Sequence, residues 1–236
     1  MNEKNTQSHN SITLTGDSLT IEDLVAVARA QARVAPLQPN DRAVESWQWV
    51  KQVSGGGLHD KDGHPLAVYS INTPFGSRAF ENVFETTEQS QWLSHNLITS
   101  HSAGVGRYFS EDVVRAAMLI RANTLAKGFS GIRPGVIDSL IQALNADIYP
   151  AVPEKGSVGA SGDLAPLSHL VLMLCRPPHG PDLDEESGEV LLPFNPQMHD
   201  PAECVAVENT GGRSTLKIRA YARDIVERAG ITRWVL

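Results

Sequence analysis

Residues 156–164 read Gly-Ser-Val-Gly-Ala-Ser-Gly-Asp-Leu, and the triplet Ala160-Ser161-Gly162 at their centre can become an electrophile. In a tight turn, the Gly162 nitrogen can attack the Ala160 carbonyl carbon, and loss of two waters leaves a methylidene-imidazolone ring. Gly162 suits this step because glycine is unhindered and reaches backbone angles that are closed to other residues. Ser161 supplies the hydroxyl that leaves. Since no ordinary side chain is an electrophile, the triplet predicts unusual chemistry.

Three other uses of glycine-rich loops do not fit this stretch. A phosphate-binding loop ends in Gly-Lys-Ser/Thr, whereas Gly162 is followed by the acidic Asp163. A dinucleotide-binding loop begins with Gly-x-Gly, which the spacing of Gly156, Gly159 and Gly162 does not provide. A nucleophile elbow reads Gly-x-Ser-x-Gly, and its last glycine is absent here. A flexible surface turn is the remaining alternative.

The longer stretch from Val152 to His169, VPEKGSVGASGDLAPLSH, resembles the prosthetic-group signature of the aromatic amino-acid ammonia-lyases and aminomutases over its whole length. The resemblance implies a mainly α fold, namely the N-terminal, prosthetic-group-bearing domain of the ammonia-lyase (fumarase/aspartase-like) fold. It also implies that 4-methylidene-imidazol-5-one forms from Ala160-Ser161-Gly162, with no metal and no diffusible cofactor.

A helix is predicted directly after this loop. Leu164, Leu167 and Leu170 recur at helical spacing. His169 lies on the same helix, and a single helical histidine is more often packed or solvated than catalytic, which is the interpretation we favour. Arg133, which lies in another loop that resembles the family, could hold a carboxylate or brace the structure, and we favour bracing.

A second loop, residues 69–76 (YSINTPFG), resembles the family's Tyr-Gly-(Val/Ile)-(Asn/Thr)-Thr-Gly-Phe-Gly loop. The resemblance assigns the role of catalytic acid/base to Tyr69 and substrate binding to Asn72 and Gly76. A half-buried packing tyrosine is the alternative for Tyr69. Ser70 and Pro74 replace family glycines, and a positive φ would be tolerated poorly by serine and is closed to proline. Short extended pieces are predicted near 67–71 and 189–192.

A third stretch, residues 93–106, resembles the substrate-selecting helix of the family. His101 matches the position that faces the far end of the substrate ring. Its imidazole carries a donor and an acceptor nitrogen and can bind an imidazole or a phenol hydroxyl. An unsubstituted phenyl ring would leave it unpaired, which costs free energy when the group is buried. The resemblance therefore favours histidine or tyrosine over phenylalanine as the substrate, with histidine first.

Composition narrows the class of protein. The chain has 236 residues and a net charge of −7 without a Lys/Arg run, which argues against nucleic acid as a partner. Two cysteines, Cys175 and Cys204, provide neither a disulfide framework nor a metal-ligand pattern. Residues 1–10 are polar, unlike a signal peptide, and no apolar run is long enough to span a membrane. We therefore expect a cytoplasmic protein without a membrane partner.

The predicted domain organisation has three parts. Residues 1–12 are expected to be disordered, residues 13–195 to form the ammonia-lyase domain, and residues 196–236 to be a tail that does not resemble the family. The amphipathic pattern of 214–236 fits a terminal helix or out-of-frame sequence. Family members are roughly twice as long, and their second half is a helical bundle, which is missing here. Full-length relatives form homotetramers.

Two classes of function remain open from the sequence. The first is an ammonia-lyase that converts an aromatic L-amino acid to an unsaturated aryl acid and ammonia, or a related aromatic 2,3-aminomutase. The second is a truncated, inactive remnant or one subunit of a split enzyme, whose partner chain supplies the missing bundle. A homo-oligomer is expected in the first case.

Overall fold

The computed structural model describes residues 11–38, 40–79, 84–183, 186–193, 196–198, 200–209 and 211–236. Helices dominate the described residues, in agreement with the predicted mainly α class. The helices are α1 (Ile21–Ala30), α2 (Asp41–Ser54), α3 (Thr87–His101), α4 (Glu111–Ala126), α5 (Pro134–Asn145), α6 (Leu164–Leu172) and α7 (Ala222–Arg228). The strands are β1 (Val105–Tyr108), β2 (Pro153–Lys155), β3 (Glu189–Pro193), β4 (Cys204–Glu208) and β5 (Ser214–Tyr221).

Local sequence signals position the helix starts. Thr20 caps α1 through a capping box, in which its side chain accepts from the Asp23 N–H and the Asp23 carboxylate accepts from the Thr20 N–H. Asn40 and Thr86 also cap α2 and α3 through side chains that accept from N–H groups of the first turn. These contacts satisfy N–H groups that have no partner within the helix.

One hydrophobic core includes residues of helices α1, α4, α5, α6 and α7 and of strands β3 and β4. Helix α4 packs against both α1 and α5, and the buried side chains of the three helices include Met118, Val27 and Ile141. Val207 and Val226, from β4 and α7, belong to the same core. The domain boundary at residue 195 stays a prediction, but residues on both sides of it share this core.

The sheets are small and antiparallel. Strand β1 pairs with β2, and β5 lies between β3 and β4. The extended piece predicted near 189–192 is confirmed as β3, whereas residues 67–71 lie in a loop and turn. The helical interpretation of the tail is wrong for Ser214–Tyr221, because this segment hydrogen-bonds to a strand on each side. Within the described tail, the helical part is Ala222–Arg228.

The last residues of the chain support α6. The Arg176 N–H donates to the Trp234 carbonyl (3.0 Å), and the Trp234 N–H donates to the Leu174 carbonyl (2.7 Å). The Trp234 indole donates to Ser139 on α5 (2.9 Å), and the Arg133 guanidinium lies 4.9 Å from its ring centroid. The bracing role that we favour for Arg133 agrees with this contact, which holds the end of α6 against α5.

Ile12 belongs to residues 1–12, the segment that the sequence predicts to be disordered. Residues 1–10 lie outside the described residues. Ile12 forms a parallel bridge with Val34, and its N–H donates to the Arg33 carbonyl at 2.9 Å. Throughout the described chain, the helices are too short or too polar to cross a lipid bilayer.

The buried guanidinium of Arg115 leads to a prediction about stability. The Arg115 side chain is only 2% exposed and donates to the carbonyls of Val27 and Leu144 and to the Asp147 carboxylate (2.7 Å). In Arg115→Met the buried Val27 carbonyl loses both of its Arg115 donors, at about 1–3 kcal/mol, and the Leu144 carbonyl keeps only the long bond from the Asp147 N–H (3.4 Å). We expect the free energy of unfolding, measured by urea denaturation, to fall by about 3 kcal/mol.

The matched control is Arg228→Met, because the Arg228 side chain is 78% exposed and its ion pair with Asp224 is a surface one. Loss of such a pair should change the free energy of unfolding by less than about 1 kcal/mol. Equal effects of the two substitutions would contradict the structural role of Arg115.

Candidate active site

The prosthetic-group loop is a tight turn on the surface. Residues Gly159–Ser161 form one turn of 3-10 helix between β2 and α6. The Ser161 N–H donates to the Val158 carbonyl (2.9 Å), and the Gly162 N–H donates to the Gly159 carbonyl (3.0 Å). The side chain of Ser161 also donates to the Val158 carbonyl (2.7 Å). The chain thus folds back on itself at the triplet, as the predicted cyclisation requires.

Two successive left-handed residues close this turn. Gly162 has φ +83° and Asp163 has φ +58°. The conformation favours glycine at 162, and a side chain there would be strained even though no atom of the described residues lies within 4 Å of the place that its Cβ would take. Asp163 is held in its unfavourable conformation by its carboxylate, which accepts a hydrogen bond from the Ser157 hydroxyl. Gly162 and the Ser157 hydroxyl therefore stabilise the left-handed turn that ends the loop.

The residues present fit the methylidene-imidazolone. The attacking nitrogen belongs to the residue without a side chain, the leaving hydroxyl belongs to Ser161, and Ala160 is small enough not to shield its own carbonyl. All three residues of the triplet are exposed. Before the ring can close, the Gly162 nitrogen has to give up its hydrogen bond to the Gly159 carbonyl.

The Tyr69 loop positions its phenol at the surface. Tyr69 is 62% exposed, so the packed alternative does not describe its environment here. Its Oη accepts a hydrogen bond from the Gly76 N–H (3.0 Å), and Gly76 has φ +66°. The two residues at the ends of the loop are thereby joined.

Asn72 lies on the inside of this loop. It is fully buried, its Oδ1 accepts from the Val68 N–H (2.8 Å), and its Nδ2 donates to the Leu66 carbonyl (2.9 Å). These bonds occupy both ends of the amide. Substrate binding by Asn72 stays a prediction, while the contacts support a bracing role for it within the loop.

Ser70 replaces one of the two family glycines in this loop and adopts a left-handed backbone conformation. Ser70 has φ +58°, the left-handed conformation that the family glycine would adopt freely. A non-glycine residue there costs about 1–2 kcal/mol. The Ser70 N–H donates to the Thr73 hydroxyl (3.3 Å), which donates in turn to the Pro74 carbonyl (2.9 Å). The loop keeps its turn at the cost of strain at one residue.

His101 is the last residue of α3. Its Nδ1 lies 2.9 Å from the Leu97 carbonyl and 3.1 Å from the Ser100 hydroxyl. Because a carbonyl oxygen only accepts, this contact assigns the proton to Nδ1 and leaves Nε2 as an acceptor in the neutral ring. The Phe75 ring meets the imidazole edge-on, with 6.0 Å between centroids. The structure thus brings His101 next to the Tyr69 loop.

The turn after α3 also contacts the prosthetic-group loop. The Gly104 N–H donates to Nε2 of His169 on α6 (3.0 Å), and Gly156 packs against Gly104. Burial lowers the pKa of His169, and the Glu189 carboxylate opposes this effect. His169 is therefore packed, as we favour from the sequence, but it also makes a specific contact between two parts of the site. In the sequence, the feature that points to His169 is its position as the last residue of the signature, Val152 to His169.

The described residues contain no group of three or more His, Cys, Asp or Glu side chains placed to hold a metal ion. Cys175 is buried, which raises the pKa of its thiol to about 12.

Comparisons with known proteins agree with the signature. Residues 19–179 match the family described as aromatic amino acid lyase. Histidine ammonia-lyase of Shouchella clausii is 44% identical over 170 residues, which cover 69% of this chain and 31% of that protein. The corresponding values for the enzyme of Treponema denticola are 48% over 164 residues, 69% and 30%. The matched part of the chain therefore covers about a third of the length of these relatives.

Solved structures show the same fold. Tyrosine aminomutase from Streptomyces globisporus superposes with a TM-score of 0.65 and 30% identity, covering 96% of this chain and 35% of that one. Histidine ammonia-lyase from Trypanosoma cruzi superposes with a TM-score of 0.59 and 26% identity, covering 96% and 36%. The predicted ammonia-lyase fold is confirmed. The chain belongs to the aromatic amino acid lyase family.

Proposed function

We propose that this chain carries the prosthetic-group loop of an enzyme that removes ammonia from an aromatic L-amino acid and leaves an unsaturated aryl acid. The observation that carries the proposal is the 3-10 turn at Ala160-Ser161-Gly162, closed by left-handed Gly162 within a segment that matches the family. When formed from this triplet, the methylidene-imidazolone supplies an electrophile that activates the amino group for departure. A cytoplasmic location is part of the same proposal.

Tyr69 is the proposed general base for the β-proton. Its exposed phenol is accessible to a substrate, and the Gly76 N–H donates to the oxygen on which negative charge would develop. Substrate binding by Gly76 stays a prediction, and its N–H is bonded to Tyr69 in this structure.

The substrate ring is proposed to bind at His101. With its proton on Nδ1, the imidazole offers an acceptor at Nε2, and a ring that carries an N–H or O–H donor satisfies it. Histidine and tyrosine have such donors, whereas phenylalanine has none. Similarity to proteins named histidine ammonia-lyase supports histidine as the first choice.

The proposal is tested by incubating the purified chain with histidine, tyrosine or phenylalanine and measuring ammonia together with the absorbance of the unsaturated acid. Release from histidine or tyrosine supports it. Formation of a β-amino acid instead indicates the aminomutase alternative, which the superposition on tyrosine aminomutase favours. No product from any of the three, even though the loop is dehydrated, favours a remnant or a subunit that needs a partner chain.

Substituting His101 should change the ring preference. In His101→Phe the acceptor is lost and an apolar ring fits better, so kcat/KM for histidine relative to phenylalanine should fall about tenfold, the value of one hydrogen bond. His59→Phe is the control, because His59 is exposed and lies outside the site. An unchanged ratio in His101→Phe would remove His101 from the ring-binding role.

A further inference from the structure

The hydrogen bond between Gly104 and His169 connects two functional segments that lie far apart in sequence. Helix α3 ends at His101, and the Gly104 N–H three residues later donates to His169 Nε2 at 3.0 Å. His169 is on α6, which begins directly after the prosthetic-group loop. One side chain thus joins the proposed ring-binding end of α3 to the helix that follows the loop.

The packing around this bond leaves little room for movement. A Cβ on Gly104 would lie 3.1 Å from His169 Nε2, 3.1 Å from Pro153 Cβ and 3.2 Å from the Lys155 carbonyl oxygen. A Cβ on Gly156, whose φ is +135°, would lie 3.1 Å from Gly104 Cα. The turn after α3 and the first residue of the loop are therefore in backbone contact, and His169 closes the contact from the third side.

The bond requires an unprotonated Nε2. A backbone N–H only donates, so the imidazole has to present a lone pair to it. Partial burial of His169 favours the neutral ring, in which one nitrogen is an acceptor. A side chain of similar size without an acceptor would leave the Gly104 N–H without this partner.

We propose that His169 is a positioning residue, which holds the turn after α3 against the prosthetic-group loop through the Gly104 N–H. It touches none of the reacting atoms. Its effect is to maintain the distance between His101 and the Ala160-Ser161-Gly162 triplet. The link to His101 rests on the proposed function, whereas the contact itself does not.

The test compares His169→Leu, which removes the acceptor, with His169→Gln, whose side-chain carbonyl can accept in its place. Both are made in the full chain, with His59→Leu as control, since His59 is exposed and outside the site. Amide hydrogen exchange is followed by mass spectrometry over residues 102–107 and 156–163, and the dehydrated fraction by intact mass. In His169→Leu we expect exchange in both segments to rise at least about tenfold and the dehydrated fraction to fall. His169→Gln should restore both.

Wild-type exchange and dehydration in a folded His169→Leu would overturn the proposal. If that variant does not fold, nitrogen NMR of the wild-type imidazole decides: an unprotonated Nε2 at neutral pH supports the bond, and a proton there overturns it. A wild-type chain that is not dehydrated would count against the proposed function. The exchange comparison would still decide the role of His169.

Discussion

Ser161→Ala should abolish formation of the prosthetic group. The wild-type chain is expected to weigh less than its sequence by two water molecules, and the variant to lack this deficit, because alanine has no hydroxyl to eliminate and the methylidene group cannot form. Ammonia release should fall by on the order of 10³-fold or more, which corresponds to about 4 kcal/mol in the activation barrier. Intact-mass spectrometry and the ammonia assay on the same preparations check both statements.

Ser214→Ala is the matched control, because Ser214 is exposed at the start of β5 and distant in sequence from the loop. It should show the mass deficit and activity of the wild type. A wild-type chain of full mass would show that the 3-10 turn does not cyclise in this chain alone. The enzyme hypothesis would then require a partner chain that completes the fold around the loop.

Tyr69→Phe should separate catalysis from formation of the prosthetic group. The phenol is the proposed base, and loss of a general base lowers the rate about 10²–10⁴-fold. The ring itself is retained, and the Gly76 N–H can turn to water because the loop end is exposed. We expect kcat to fall by that factor while the mass deficit of two waters is unchanged.

Tyr221→Phe serves as the control for this substitution, since Tyr221 is also exposed, at 45%, and lies at the end of β5. Its kcat should equal that of the wild type. If Tyr69→Phe retains full kcat, the acid/base role belongs to another group. If it loses the mass deficit instead, Tyr69 acts on the loop and not on the substrate.

The sequence is most informative where chemistry depends on neighbouring residues. Ala160, Ser161 and Gly162 are consecutive, so the reactive triplet is recognisable from the order of residues alone. The start of α1 at Thr20 is also predictable, because a capping box is complete within four residues. The left-handed φ of Ser70 agrees with the family glycine that this serine replaces.

Contacts between distant segments are not predictable in this way. The amphipathic pattern of Ser214–Tyr221 suits a helix, but pairing with β3 and β4 satisfies its backbone on both sides and makes it a strand. Asn72 can be assigned to the loop from the sequence. The hydrogen bonds of its amide with Leu66 and Val68 depend on how the loop closes.

The family and the residues that can form the electrophile are predictable from the amino-acid sequence, because both lie in one continuous signature. Tertiary structure alone decided which groups surround that signature. It placed Phe75 against His101 and His169 against Gly104. It also paired Trp234 with Leu174 and Arg176, just after α6. These contacts join residues that are separated by tens of positions, and their geometry follows from helix packing and strand pairing, which local sequence patterns do not encode.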